Sequence, residues 1–375
     1  MKIIFAGGGT AGHINPALAV ADYVRKHDKN VEILYVGAKG GMEEKLATNA
    51  GFDFKGIEIS GFSRKMNLDG IKKNVKTLIR IFKASSQSRK ILKEFNPDIC
   101  MGTGGYVSGP ILRAAYKKKI PIIIHEQNAF PGVTTKLLSK KANKVMLAVK
   151  EAEKHLDDKC NTIVTGNPIR SEILNIDKNK AISKMKFKND KPIILSFGGS
   201  LGAGKINDAV FELIKWSVKN NKFNHIHAYG RYGKNLLENL KNNKINPETN
   251  QSLDIREYIN NMQDCMAAAD LVICRAGAIT LSEIQAMGKP AILIPSPNVA
   301  ENHQYHNAMA LVKSNAASII EESELSGEVL IKKVEKLLGD ENKLEEYRNN
   351  LKKMAVLNAS EKIYDIIKSK IKNEI

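Results

Sequence analysis

The chain has 375 residues, 43% apolar and 26% charged, which excludes a disordered or fibrous protein and leaves room for two domains of ordinary size. Its formal charge of +18 points to an anionic partner: nucleic acid, an anionic membrane surface or a phosphorylated substrate. Aromatics make up only 6%, with one tryptophan, Trp216, which argues against stacking on single-stranded nucleic acid, and no run of about 18 apolar residues is available to span a membrane.

Lys2 to Ala6 predicts a strand rather than a signal peptide, because glycines interrupt the apolar run within a few residues. Gly7-Gly-Gly-Thr-Ala-Gly12 and His13 lead to a helix over Ala17 to Lys26, and Val31 to Val36 is the next strand. Gly7-x-Gly9-x-x-Gly12 matches the dinucleotide fingerprint, but Gly37 and Ala38 stand where a ribose-binding acid belongs, so the match is weak. What the glycines establish is a backbone that another group approaches closely, with His13 at the helix entrance.

Gly61 to Phe95 is basic: Arg64, Lys65, Lys72, Lys73, Lys76, Arg80, Lys83, Arg89, Lys90 and Lys93 face only Asp69 and Glu94. Ile71, Val75, Leu78, Ile79 and Phe82 recur at helical spacing among these lysines, so the stretch predicts a basic amphipathic helix. Either its apolar stripe joins the core, or it lies against anionic lipid with lysines on head groups. Lys117, Lys118, Lys119, Lys136, Lys140 and Lys141 extend such a face.

Pro97 to Met101 predicts a strand running into Gly102-Thr-Gly-Gly-Tyr106-Val-Ser-Gly-Pro110, followed by a helix. Pro121 to Ile124 is another, ending in His125-Glu126-Gln127-Asn128. In a parallel sheet these loops share the carboxyl edge with His13, where ligands bind. Each histidine alone is as well explained by a structural role; three polar strand ends on one edge favour a cleft. Asn143 to Leu147 and Thr162 to Val164 predict further strands, after which Thr165-Gly-Asn-Pro-Ile-Arg170 breaks the pattern.

Lys191 to Phe197 restarts the scheme with a strand, the loop Gly198-Gly-Ser200-Leu-Gly-Ala-Gly-Lys205 and a helix. Gly199-x-x-x-x-Gly204-Lys205 would be an ATPase phosphate loop, except that Ile206 stands where Ser or Thr must hold magnesium. Asp270 to Pro295 then reads as strand, glycine turn at Gly277, helix, stop at Gly288 and strand. A helix start behind a glycine offers free N–H groups to a phosphate, and Glu283 would place a carboxylate near a ribose. Thr280-Leu-Ser-Glu283 equally fits a capping box, in which Glu283 is only a helix cap.

Cys100, Cys160, Cys265 and Cys274 are scattered and read as reduced thiols. His225 and His227, two apart on a strand, read as structural, and His303-x-x-His306 lacks the carboxylate and histidine company of a zinc site. The tail from Ala355 carries Ile363, Ile366, Ile367 and Ile371 on one side of a helix.

Six motifs run in order across nearly the whole chain: Gly8-Gly-Thr-x-Gly-His13, Gly102-Thr-Gly-Gly-Tyr-Val-Ser-Gly-Pro110, His125-Glu-Gln-Asn128, Gly166-Asn-Pro-Ile-Arg170, Gly198-Gly-Ser-x-Gly-Ala203 and Cys274-Arg-x-Gly-Ala-x-Thr-x-x-Glu283. Together they closely resemble the bacterial MurG family of UDP-GlcNAc:undecaprenyl-pyrophosphoryl-MurNAc-pentapeptide N-acetylglucosaminyltransferases. The resemblance implies an α/β chain of GT-B fold, two Rossmann-like doubly wound parallel-sheet domains facing across a cleft. Residues 1–163 would form the acceptor and membrane-docking domain, with helix 356–375 packing back on it, and residues 164–355 the donor domain.

By the same resemblance, the pyrophosphate of UDP-GlcNAc lies on Ala278, Ile279 and Thr280, with Ser200 and Arg170 assisting. Glu283 takes the ribose hydroxyls, backbone near Ile259 reads uracil, and Gln304 with His303 grips the sugar. Asn128 reaches the donor from the other domain, as do Thr10 and Gly12. Gly104, Tyr106 and Ser108 are on the acceptor side with the Gly7–His13 loop, His125 and Glu126. His13 is the first choice of base, because an imidazole titrates near neutral pH, with His125 and Glu126 as alternatives.

The implied reaction is an inverting, metal-independent transfer to the C4 hydroxyl of lipid I in peptidoglycan synthesis, without a cofactor and without nucleic acid as partner. It implies a peripheral protein on the cytoplasmic face of the membrane, touching anionic inner-leaflet lipids through Ile71, Lys72, Val75, Lys76, Ile79 and Phe82, and a cell-wall or division complex as a further partner. Two positions depart from the family pattern: Ala11 replaces a glycine, and His303 stands where a second glutamine is frequent.

Overall fold

The computed structural model describes residues 1–59, 83–169, 173, 176–187 and 189–372. The expected membrane residues Ile71, Lys72, Val75, Lys76, Ile79 and Phe82, and the expected donor residue Arg170, lie outside them. The chain divides into two compact units, Met1–Ile169 with Val356–Ile375, and Arg170–Ala355.

The first unit alternates strand and helix: β1 (Lys2–Gly7), α1 (Ala11–His27), β2 (Glu32–Ala38), α2 (Met42–Asn49), β3 (Asp53–Ile57), α3 (83–95), β4 (Ile99–Gly104), α4 (Gly105–Lys117), β5 (Ile122–Glu126), α5 (Val133–Leu138), β6 (Lys144–Leu147) and β7 (Thr162–Val164). Its seven strands are parallel, in the order β3-β2-β1-β4-β5-β6-β7. Both faces of the sheet are covered, so neighbouring residues of a strand feed two different cores. Ile3 and Phe5 pack with Ile14, Val20 and Val24 of α1; Ile4 and Ala6 pack with Leu92 of α3 and Ile111 and Leu112 of α4.

The second unit holds α6 (Lys178–Ser183), β8 (Ile193–Phe197), α7 (Gly204–Asn220), β9 (Asn224–Ala228), α8 (Asn235–Asn242), β10 (Leu253–Arg256), α9 (Met262–Ala268), β11 (Leu271–Cys274), α10 (Ala278–Met287), β12 (Ala291–Leu293), α11 (His303–Lys313), β13 (Ser318–Ile319), α12 (Gly327–Leu338) and α13 (Glu341–Met354). Its six strands are parallel, in the order β10-β9-β8-β11-β12-β13. The last helix, α14 (Ala359–Lys372), returns to the first unit. There Ile363 and Ile367 are fully buried in the α1 core, and Tyr364 meets Tyr23 edge to face at 6.0 Å.

Strand order reverses between β1 and β4, and again between β8 and β11. At such a switch the loops leave in opposite directions and a crevice opens beyond the carboxyl ends of the strands. The expected helix starts need correction here. Helices were expected only after Pro16 and Pro110, yet α1 begins at Ala11 and α4 at Gly105, with each proline inside. Burial of Ile14, Pro16 and Ala17 in one helix, and of Val107 and Ile111 in the other, holds the turns that proline weakens. His13, Tyr106 and Ser108 therefore stand on first helical turns rather than on loops.

His225 and His227 do point the same way from β9, and both are fully buried on Ser196 of β8. His227 Nε2 lies 3.2 Å from Asn207 Oδ1, which accepts, while its Nδ1 lies 2.7 Å from the Ser196 hydroxyl. Burial lowers the pKa of both histidines, that of His227 from 6.5 to about 3. Between those two values the unfolded chain binds a proton that the folded one refuses, so stability falls as pH drops, by about 1.4 kcal/mol per pH unit for His227 alone. Urea unfolding of the native chain at pH 7, 6 and 5 should show this slope, and His227→Gln should flatten it despite lower stability throughout. An unaltered slope in the variant would refute a neutral buried His227.

Candidate active site

In the first unit the ends of β1 and β4 are locked backbone to backbone. Gly104 and Gly105 take φ of +105° and +79°, and a Cβ on Gly105 would lie 2.1 Å from the Gly8 carbonyl oxygen. A Cβ on Gly104 would lie 2.9 Å from the His13 ring, so the imidazole rests directly on that glycine. His13 Nδ1 is 3.1 Å from the Gly8 carbonyl, with the Thr10 hydroxyl at 3.3 Å. A carbonyl only accepts, so Nδ1 carries the proton and Nε2 keeps its lone pair. The ring is half-buried, and Tyr106, 38% exposed, covers Gly9 beside it. Thr10 and Gly12 are exposed; Ala11 is too, as the first residue of α1, so its Cβ is accommodated.

Glu43 was not singled out from the sequence. It is 1% exposed, in the first turn of α2, and accepts from the N–H groups of Ala38 at 2.9 Å and Gly9 at 3.3 Å. The Gly9 donor that a dinucleotide phosphate would need is thus taken by the protein's own carboxylate. The signal was an acidic residue just after Gly41 at a helix start.

The other expected catalytic groups have partners. His125 is fully buried, its Nε2 2.9 Å from the Gly166 carbonyl and its Nδ1 3.0 Å from the Gln127 amide nitrogen. One ring nitrogen must donate and the other accepts, and burial pushes its pKa below the ordinary imidazole value. Glu126 accepts from the backbone and side chain of Asn128, from Gly132 N–H at 3.0 Å and from the Thr135 hydroxyl at 2.6 Å. It ties the Asn128 loop to the start of α5. Ser108 is fully buried and donates to the Gly105 carbonyl at 3.1 Å, beside the Thr134 hydroxyl at 3.2 Å.

In the second unit, α10 starts at Ala278 with Gly277 as N-cap and no capping side chain. The capping box anchored on Thr280 does not form, because Thr280 is already inside the helix. The N–H groups of the first turn have no intrahelical partner. Glu283 lies more than one turn in and is half-buried. Across the switch point, α7 also starts without a capping side chain, behind exposed Ser200. That loop is fixed by Gly202 and Gly230: a Cβ on Gly202 would lie 2.2 Å from the Tyr229 carbonyl oxygen, and one on Gly230 2.1 Å from Gly202 N. Ile206 is fully buried, so the ATPase-like position belongs to the core.

The remaining expected donor residues stand on this same carboxyl edge. Ile259 buries its side chain and leaves its backbone to the loop after β10. Glu301 and Asn302 take left-handed φ of 53° and 47°, and this tight reversal starts α11 at His303 and Gln304. Gln304 Oε1 accepts from Ser296 N–H at 2.9 Å, leaving its amide hydrogens to donate elsewhere. Arg275, also missed, donates to the carbonyls of Ile294 and Pro295 at 3.2 and 3.1 Å and pairs with Glu322. Asn307 donates to the Ala276 carbonyl at 3.3 Å, binding α11 to the turn before α10. Among the described residues no group of three or more His, Cys, Asp or Glu is placed to hold a metal.

Gly105→Ala tests the locked loops. The clash and the left-handed backbone together should cost more than about 2 kcal/mol of unfolding free energy, measured by denaturant titration. A loss below about 0.5 kcal/mol would mean that the two loops yield easily.

Residues 3–147 match the glycosyltransferase family 28 N-terminal domain, and residues 193–368 its C-terminal domain. The UDP-N-acetylglucosamine--N-acetylmuramyl-(pentapeptide) pyrophosphoryl-undecaprenol N-acetylglucosamine transferase of Acetivibrio thermocellus is 45% identical over 374 residues, 100% of this chain and 99% of that one. The protein of the same name from Thermoanaerobacter sp. is 46% identical over 369 residues, 98% and 100% of the two chains. The crystal structure of Acinetobacter baumannii MurG superposes with a TM-score of 0.75 at 27% identity, covering 98% of this chain and 99% of its own. A UDP-GlcNAc 2-epimerase from Neisseria meningitidis shares the fold alone, with a TM-score of 0.68 at 15% identity over 98% and 100% of the chains. The chain therefore belongs to glycosyltransferase family 28, in its MurG branch, and has the GT-B fold of two parallel-sheet Rossmann-like domains.

Proposed function

We propose that the chain moves N-acetylglucosamine from UDP-GlcNAc to the C4 hydroxyl of lipid I, undecaprenyl-pyrophosphoryl-MurNAc-pentapeptide, giving lipid II for peptidoglycan synthesis. The uncapped start of α10, with Glu283 further along the same helix, carries this reading. It supplies N–H groups for a pyrophosphate and a carboxylate for a ribose on one rigid element. Full-length similarity to transferases named for this reaction supports the choice of substrates.

In this reading Ala278, Ile279 and Thr280 take the pyrophosphate with Ser200 and Arg170. Glu283 accepts from the ribose hydroxyls, backbone at Ile259 meets uracil, and Gln304 and His303 hold the sugar. Asn128, Thr10 and Gly12 approach the donor, while Gly104 and Tyr106 face the acceptor. The acceptor oxygen attacks the anomeric carbon from the side opposite UDP. As that bond forms, the bond from the anomeric carbon to the pyrophosphate oxygen breaks, and the configuration inverts from α to β. The hydroxyl proton passes to His13 Nε2, the nitrogen that the Gly8 contact leaves with a lone pair. Charge developing on UDP is taken up by the α10 amides, so no metal is required. We read His125, Glu126 and Ser108 as supports, because their polar atoms are engaged by Gly166, Gln127, Thr135 and Gly105.

Transfer of radiolabelled GlcNAc from UDP-GlcNAc to a lipid I analogue, with and without EDTA, tests this reading. Glu283→Ala should raise the donor KM by at least about tenfold, and His13→Asn should lower kcat by about a hundredfold or more. No transfer to lipid I would overturn the substrate assignment, and loss with EDTA the metal-free mechanism. Unchanged kinetics in either variant would overturn that residue's role.

The lipid-linked acceptor calls for a membrane face on the cytoplasmic leaflet. No helix among the described residues is long and apolar enough to cross a membrane. On α5, Val133 and Leu137 are 63% and 70% exposed, with Lys136 on the same helix and Lys140 and Lys141 in the turn that follows it, Lys140 paired with Asp157. Such a pairing suits head groups above and acyl chains below. Val133→Ser with Leu137→Ser should weaken binding to phosphatidylglycerol vesicles several-fold while sparing transfer to a short-chain soluble acceptor. Vesicle binding at the native level would remove α5 from the membrane face.

A further inference from the structure

The second unit has a built cationic hollow at the edge of its sheet opposite α10's start. It measures about 310 Å³ and lies where Asp270 enters β11 and Pro290 enters β12. Lys178, Lys289, Arg348 and Lys352 converge on it from three separate segments, with Asp270 as the only carboxylate in its lining among the described residues.

Three of the four cations have polar partners. Lys289, 9% exposed, donates to the carbonyls of Ala267 at 2.5 Å and Ala269 at 3.0 Å, which leaves one ammonium hydrogen. Lys178 pairs with Asp270 at 2.5 Å, and the second Asp270 oxygen takes Ile193 N–H at 2.8 Å. Arg348 is gripped by Glu341 at 2.5 Å and Glu345 at 3.1 Å, neither of which lines the hollow. The Lys352 stem lies on Gly288, where a Cβ would come within 2.9 Å of its Cε, and no carboxylate pairs with it among the described residues.

Solvated lysines on an ordinary surface would be mobile and spread apart. Here Lys289 and Arg348 are fixed by their partners at one concavity that Lys178 and Lys352 also line, and Asp270, the sole counter-charge in the lining among the described residues, has both oxygens committed. Burial first, and then the Lys178 charge, push Lys289 down to about 8. The carboxyl ends of α9 and α10 supply only partial negative charge.

We propose that this hollow binds a small phosphate-bearing solute, its anionic group among Lys178, Lys289, Arg348 and Lys352 and its body against Met287 and Pro290. The volume suits a phosphate with a small attached group. The site is separate from the nucleotide end of α10, because Ala278 and Met287 are the two ends of a ten-residue helix about 15 Å long.

Calorimetric titration of the full chain with sodium pyrophosphate, at saturating UDP, should reveal one site that UDP does not displace. Lys178→Gln with Lys352→Gln, and Lys352→Glu alone, should each weaken it by at least about tenfold while leaving the melting temperature and GlcNAc transfer unchanged. Sulfate, whose charge is constant from about pH 6 to about pH 9, should bind more weakly above pH 8, as Lys289 loses its proton. The absence of a UDP-insensitive site, or binding unaffected by both sets of substitutions, would overturn the proposal. Flotation on phosphatidylglycerol vesicles that depends on Lys178 and Lys352 would overturn a soluble ligand in favour of a head group.

Discussion

Backbone approaching backbone at the carboxyl edge of each sheet is the constraint on which the rest depends. In the first unit the Gly8 carbonyl fills the space a side chain at position 105 would need; in the second, Gly202 and Gly230 fill each other's. These contacts leave no room for any residue but glycine, and they fix where α1, α4 and α7 begin. Helix starts placed this way turn their free N–H groups toward the crevice. The same contacts set His13 on Gly104 with its Nδ1 toward the Gly8 carbonyl, so one close approach settles both the position and the tautomer of an imidazole.

Around those contacts, buried polar groups act as braces. Glu43 holds the Gly9 loop, Glu126 the Asn128 loop, His125 the Gly166 turn, and Arg275 the carbonyls that follow β12. A buried carboxylate or guanidinium is costly unless its hydrogen-bonding capacity is met, and here it is met by backbone groups of turns that carry exposed candidate ligand residues. A division of labour follows. Fully buried polar residues on this edge hold geometry, while His13, Asn128, Glu283 and Gln304 are half-buried and Tyr106 is exposed. One rigid helix, α10, runs from this edge of the second unit to the cationic hollow at the other.

Much of the architecture was legible along the chain. Apolar runs such as Ile3–Ala6 and Leu271–Ile273 followed by glycines gave the strands, since a parallel strand covered on both faces needs no polar alternation. β3 escaped notice for the converse reason: Asp53-Phe-Lys-Gly-Ile57 lies at the sheet edge, and its alternating exposure makes it look like a loop. The starts of α1 and α4 were misjudged because proline is a local signal, and local signals give way to burial of a helix face. Glu43 and Arg275 were missed because their partners are backbone atoms, which every sequence contains and none displays.

The sequence by itself determined the residue types: glycines where two chains must touch, a carboxylate on a helix behind a glycine, histidines at strand ends, and an excess of positive charge. It also determined family membership, since ordered motifs over a whole chain rarely arise by chance. Which nitrogens of similar side chains are engaged in hydrogen bonds was decided only by the tertiary structure. His13 on the first turn of α1 and His125 near the end of β5 are the same chemical group on one sheet edge; one has a nitrogen with an open lone pair, and the other has both nitrogens engaged. That difference comes from hydrogen-bond partners up to 41 positions away along the chain. Proton affinity and access depend on distances in space, and a sequence specifies those only through the fold.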